Sequence, residues 1–251
     1  MRRACWLLAL VSLSGCGSSV ASPDPAADSG AGGAGGAAGA GGGPPITVSG
    51  LISEFFPTTT AQLPGVKACV EGLPEVPCAT TDADGRYVLA EVPGFAEVTI
   101  TLEKSGFVPA MVPLSTRDAD TSVSLDLATL STAQIFASTA GYGWPPSGGI
   151  LVVEAETAAH SAVAGVSVSL DPPQGTGPVY VDESETPDPA LDVTSAAGWG
   201  SYGDVPAGRY ALHAAAKSGA CTAELGFARD DGLELDARVG WVTYVLFGCA
   251  P

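Results

Sequence analysis

The chain has 251 residues, Gly and Pro supply 33 and 20 of them, and only 15% are charged, against about a quarter in an ordinary globular domain. That length admits one or two domains, and the glycine content places part of the chain outside any packed core. A formal charge of −17 excludes polyanionic partners, because nucleic acid and anionic membrane surfaces repel such a chain.

Met1-Arg2-Arg3 is a basic start, and Ala4 to Leu13 is an apolar run too short to cross a bilayer core of about 30 Å. Residues 1–15 therefore read as an export signal. The segment Leu13-Ser14-Gly15-Cys16 resembles the lipobox of bacterial lipoproteins. The resemblance implies cleavage before Cys16, acylation of Cys16 with palmitate-type chains, and anchorage to the membrane of a bacterial cell envelope. Gly17 follows where an Asp would signal retention, which by the same resemblance points to the outer membrane. Apart from Cys16 and Val20, residues 16–45 are Ser, Ala, Pro, Asp and Gly, and positions 30–43 hold only Gly and Ala. This composition gives a disordered tether with a reach of roughly 30 Å.

Ile46-Thr47-Val48-Ser49-Gly50-Leu51-Ile52 alternates as an opening strand, and further strands are expected at Gly65–Val70, Arg86–Val92, Ala96–Glu103, Phe107–Leu114 and Thr121–Leu127. Short strands about every ten residues, punctuated by Gly, Pro and Asp, predict an all-β sandwich over residues 46–128. Cys69 and Cys78 flank the turn Glu71-Gly72-Leu73-Pro74 and are expected to form a disulfide, worth about 2–3 kcal/mol in the loop-entropy estimate. A redox-active Cys-x-x-Cys spacing is absent. Asp82-Ala83-Asp84-Gly85 reads as hairpin punctuation. Asp82 and Asp84 are also the start of a calcium-loop pattern, but Arg86-Tyr87-Val88-Leu89 supplies no further oxygen ligands, so no metal site is expected.

The order Leu63-Pro64-Gly65-Val66, Thr81-Asp82-Ala83-Asp84-Gly85-Arg86-Tyr87, Val92-Pro93-Gly94 and Lys104-Ser105-Gly106-Phe107 resembles the carboxypeptidase regulatory-like domain. The resemblance implies a transthyretin-like, Ig-like β-sandwich without catalytic residues of its own.

Residues 129–148 form a connector. A helix is expected over Leu130–Gly141, with Ser131 as N-cap, Gln134 closing a capping box, Gly141 as C-cap, and Ile135 and Phe136 docking on a sandwich. Tyr142 and Trp144 follow, as a stacking platform for a sugar or as packing between domains.

Residues 149–251 repeat the first unit. Gly165-Val166 returns for Gly65-Val66, Lys217-Ser218-Gly219 for Lys104-Ser105-Gly106, and Gly198 to Pro206 for Gly85 to Pro93, with an acid and Val before each Pro. Trp199 stands where the first copy has Arg86 and joins the candidate ligand contacts. The acid-rich insertion Asp182–Asp188 reads as a solvated loop. Cys221 and Cys249 are expected to pair and pin the C-terminus, worth about 3–4 kcal/mol. Four cysteines after Cys16 nevertheless allow three connectivities.

The expected architecture is thus a signal, a tether, and two tandem β-sandwiches joined by a short helix. An enzyme is not expected, nor a cofactor. His160 and His213 are the only histidines and lie in no His-x-x-Glu pair, and there is no Gly-x-Ser-x-Gly elbow. Two roles remain: a surface binding module for envelope polysaccharide or another envelope protein, or a structural spacer and assembly component.

Overall fold

In the first half of the chain, strand β1 (Ile46–Glu54) is followed by β2 (Lys67–Val70), β3 (Ala79–Thr80) and β4 (Arg86–Val92). Next come β5 (Glu97–Glu103), β6 (Ala110–Ser115), β7 (Thr121–Ser122) and β8 (Leu125–Leu127). After helix α1 (Leu130–Ala140), the second half opens with β9 (Gly149–Glu156), β10 (Val166–Asp171), β11 (Thr176–Val181) and β12 (Pro187–Asp188). It continues with β13 (Trp199–Val205), β14 (Gly208–Ala216), β15 (Cys221–Leu225), β16 (Phe227–Arg229), β17 (Gly232–Ala237) and β18 (Val242–Cys249). The structure, a computed structural model, describes residues 42–55, 61–217 and 219–250. Cys16, the signal and most of the tether lie outside them.

The fold is an all-β, Ig-like sandwich, and its strand pairing occurs twice. In the first half β1 lies between antiparallel β4 and parallel β8, while β5 joins β2 to β6. In the second half β9 lies between antiparallel β13 and parallel β18, while β14 joins β10 to β17. Alternation of inward apolar and outward polar residues makes each strand two-faced, so facing sheets close over the inward set. Val48, Ile52 and Leu89 meet Ala68, Ile100, Leu102 and Val112 in one buried cluster; Leu151, Val153 and Phe247 meet Val168, Leu212 and Leu235 in the other.

The repeated acid before Val-Pro has a backbone role. Glu91 and Asp204 both adopt left-handed conformations, at φ 60 and φ 54. In each copy two residues oppose one: Ala90 and Glu91 face Thr47 on β1, and Gly203 and Asp204 face Ile150 on β9. These are β-bulges; one more pair forms beyond each, Val92 with Ile46 and Val205 with Gly149, before the chain reaches the following Pro.

A buried threonine also recurs. Thr81 Oγ1 accepts from Val66 N at 2.8 Å and donates to Leu63 O at 2.6 Å. Thr194 Oγ1 accepts from Val166 N at 3.0 Å and donates to Val163 O at 2.7 Å.

The halves share a sheet. β18 pairs in parallel with β6, Val242 opposite Ala110, so the sheet runs β12-β11-β13-β9-β18-β6-β5-β2-β3 without a break. Gly226 N donates to Pro113 O, Ala228 N to Ser115 Oγ and Tyr244 Oη to Asp126 O across the same seam. Arg229 pairs with Glu97, and Arg238 with Glu71 while lying over the Trp241 ring.

Two sequence expectations for the helix are corrected. The N-cap is Thr129, whose Oγ1 accepts from Thr132 N at 3.1 Å, because the helix starts at Leu130, two residues earlier than a Ser131 cap allows. Ile135 does not dock: it is 69% exposed, since Ala133, Ala137 and Ala140 form the buried stripe. Gly141 caps the C-terminus in the left-handed conformation, as expected.

Candidate functional site

The aromatic residues singled out by sequence come together where α1 meets the second half. Trp199 is 6% exposed and stacks on Phe136 at 5.5 Å, with the edge of Phe55 at 5.9 Å. Tyr142, 7% exposed, lies 6.5 Å from Phe136 and covers the outer face of β13. Its hydroxyl reaches Ser201 O at 2.8 Å and Ser201 Oγ at 2.9 Å. Gly203 leaves the room for this ring, since a Cβ there would occupy the ring's own position. Trp144 is half-buried and packs against both the first core cluster and the Tyr142 cluster. Trp199 and Tyr142 are taken up in packing on Phe136 and the sheet and offer no open face, whereas Trp144 keeps part of its surface exposed.

Asp204, a residue the sequence did not mark individually, fixes the chain beyond the helix. Its carboxylate accepts from Gly143 N at 2.9 Å, Ser147 N at 3.1 Å and Ser147 Oγ at 3.0 Å. The Gly143 bond above all holds its pKa below the ordinary carboxylate value. The signal for it was the acid before Val-Pro, repeated in both copies: the bulge that re-aims the backbone here aims the carboxylate at the connector.

Asp82 and Asp84 sit in a turn. Asp82 Oδ1 accepts from Asp84 N and Arg86 N, both at 2.9 Å, and Gly85 is left-handed at φ 74. The acidic insertion builds the same turn: Asp182 Oδ1 accepts from Ser184 N at 2.7 Å and Thr186 N at 3.0 Å, with Glu185 at φ 62 in the place of the glycine. Among the described residues no group of three or more His, Cys, Asp or Glu side chains is arranged to hold a metal.

Both disulfides form as expected, Cys69 to Cys78 and Cys221 to Cys249, with S–S distances of 2.08 and 2.09 Å. The first ties β2 to the residue before β3; the second joins directly opposed residues of β15 and β18.

An open groove of about 410 Å³ is lined by Asp171, His213, Arg229, Asp230, Asp231 and Glu234, among others. His213 Nδ1 lies 2.9 Å from Asp231 O, and Arg229 is held by Glu97 and Glu234, which raise its pKa. No lining side chain carries a hydroxyl or thiol.

No family model matches the chain, and no curated protein matches it. Solved structures with some likeness include a type II cohesin–X-dockerin complex from Acetivibrio cellulolyticus, 25% identical over 32% of this chain and 51% of that one, at a TM-score of 0.27. The minor pilin of Streptococcus agalactiae is 13% identical over 82% of this chain and 97% of its own, at a TM-score of 0.26. The shaft pilin of Lactobacillus rhamnosus GG is 11% identical over 82% and 98%, at 0.24. The chain thus spans about half of the first structure's length and nearly all of the other two. With TM-scores this low, the strand pairing and not the likeness defines the fold.

Buried tyrosines make the protein sensitive to base. Burial pushes the Tyr142 phenol up to about 12, with the Ser201 bond pulling it back, and burial raises Tyr87, Tyr180, Tyr202 and Tyr244 as well. A phenol whose pKa is higher folded than unfolded gives its full stability below the unfolded value, about 10, and loses it as pH rises through the folded value. Unfolding is therefore expected above pH ~10, with near-UV circular dichroism lost as tyrosinate absorbance appears. Ionisation of all five of these tyrosines near pH 10 with the fold intact would contradict this burial.

Proposed function

We propose that this protein is a non-catalytic structural module of a bacterial cell surface, anchored through acylated Cys16, which holds a rigid double sandwich away from the membrane on the 16–45 tether. In this reading residues 46–128 and 149–251 are two sandwiches of the carboxypeptidase regulatory-like type, joined by the connector 129–148. The outer membrane is the expected location. The observation that carries the spacer role is the docked connector. Tyr142, Phe136 and Trp199 are used in packing, and Asp204 clamps the chain that follows the helix. A flexible joint would leave these groups in water, whereas here the linkage is tied by side-chain bonds and by β18 pairing with β6.

Recognition of envelope polysaccharide is the second reading, and Trp144 favours it as the candidate aromatic with part of its surface open. One experiment separates the two. Cells expressing the full chain or Cys16→Ala are fractionated, and purified chain is titrated with isolated envelope polysaccharides, with and without calcium. The spacer reading expects membrane association lost in Cys16→Ala and no saturable polysaccharide binding. Saturable binding abolished by Trp144→Ala would replace it with recognition. Unchanged membrane association of Cys16→Ala would remove the lipid anchor.

A further inference from the structure

We propose that β4 is a self-complementary edge through which two copies of this chain pair antiparallel about a twofold axis, with Val88 opposite Val88. The internal repeat shows what this surface lacks. β4 and β13 hold the same place, register and bulge against β1 and β9. The far edge of β13 is covered by antiparallel β11, with Val179 opposite Ser201, and its outer face is covered by Tyr142. Beyond β4 there is no strand among the described residues. Val88, the counterpart of Ser201, is 59% exposed, and Ala90 is exposed beside it.

Elsewhere the fold closes such an edge. The edge strand β10 turns Val168 away from β14, and its free groups are taken by hydroxyls: Val168 N donates to Tyr180 Oη at 2.9 Å, and Tyr202 Oη donates to Val168 O at 3.1 Å. At β4 the Arg86 backbone is taken by Asp82, which leaves Tyr87 to Ala90 for pairing. An exposed edge with an apolar outer face is a template for another strand.

Charge selects a second copy as the occupant. Arg86 and Glu91 lie at opposite ends of this run, both exposed, and neither forms a salt bridge with another described residue. A twofold axis perpendicular to the sheet keeps both outer faces on one side, so outward residues must oppose outward residues. Centred on Val88, that register sets Arg86 against the partner's Ala90–Glu91 bulge and creates two symmetric ion pairs. A run of this length gives a weak, concentration-dependent dimer.

The test uses the full chain with Cys5→Ser and Cys16→Ser, so that only an introduced thiol is free beside the two disulfides. Val88→Cys is oxidised and its disulfide dimer followed by non-reducing electrophoresis, beside Val239→Cys, whose parent side chain is 52% exposed elsewhere on the surface. Val88→Cys is expected to cross-link at least about tenfold faster. Adding Arg86→Glu should cut the rate by about tenfold, through like charges placed at both ends, and adding Glu91→Arg to that should restore it. Sedimentation velocity should show concentration-dependent dimer for the Cys5→Ser, Cys16→Ser chain and monomer when Val88→Lys is added. Cross-linking no faster than at Val239, a rate insensitive to Arg86→Glu, or a monomer at all concentrations would each overturn the pairing.

Discussion

Thr194→Val is expected to lower the unfolding free energy by about 2–4 kcal/mol, although it changes the side chain's volume very little. The hydroxyl is buried and serves two backbone groups at once, accepting from Val166 N and donating to Val163 O. Valine fills the same space and satisfies neither. Each orphaned group then carries a desolvation cost of about 1–3 kcal/mol, partly relieved where water can enter. Thr81→Val should behave alike, because Thr81 makes the corresponding bonds to Val66 and Leu63. The two sites share no partner, so the double variant should lose about the sum of the single effects. Urea denaturation of the purified chain measures all three. Losses within about 0.5 kcal/mol of zero would show that these threonines are spectators.

Gly203→Ala is expected to cost about 2–4 kcal/mol and to release the connector. Gly203 has no positive φ, so the added methyl brings no backbone strain, and the effect is steric. Its Cβ would stand where the Tyr142 ring now stands. Expelling the ring breaks its bonds to Ser201 and loosens its packing against Phe136. The readouts are a lower melting temperature and proteolytic cleavage near residues 142–148 that the parent chain resists. Tyr142→Gly removes the clash and should recover about 1 kcal/mol or more in the Gly203→Ala background, while destabilising the parent. An additive double variant would mean that the ring and the glycine do not meet.

Much of the fold was legible in residue pattern. The turn, strand and turn frame from Gly85 to Pro93 predicts β4 and its copy β13 because Gly, Asp and Pro restrict backbone angles locally. Both disulfide pairs were expected, the first from its hairpin turn, although four cysteines allow three connectivities. The helix was found, but its cap was misplaced, since Thr129, Ser131 and Thr132 are all competent caps and only the chain's exit from the first sandwich selects among them. The candidate site was legible in identity alone. Tyr142, Trp144 and Trp199 were marked, yet nothing local says whether a ring faces water or another ring.

The sequence by itself determined the alternation, the turns and the frame of the repeat, because each is set by residues a few positions apart, whereas the pairing of Cys221 with Cys249, 28 residues apart, needed their strands to meet. Tertiary structure decided that β18 joins β6, that Thr81 and Thr194 clasp the same loop in both copies, and that tyrosine hydroxyls seal β10 while no described strand pairs with the outer edge of β4. These depend on surfaces that exist only after distant strands have met, where unsatisfied backbone groups and uncovered apolar faces select their partners.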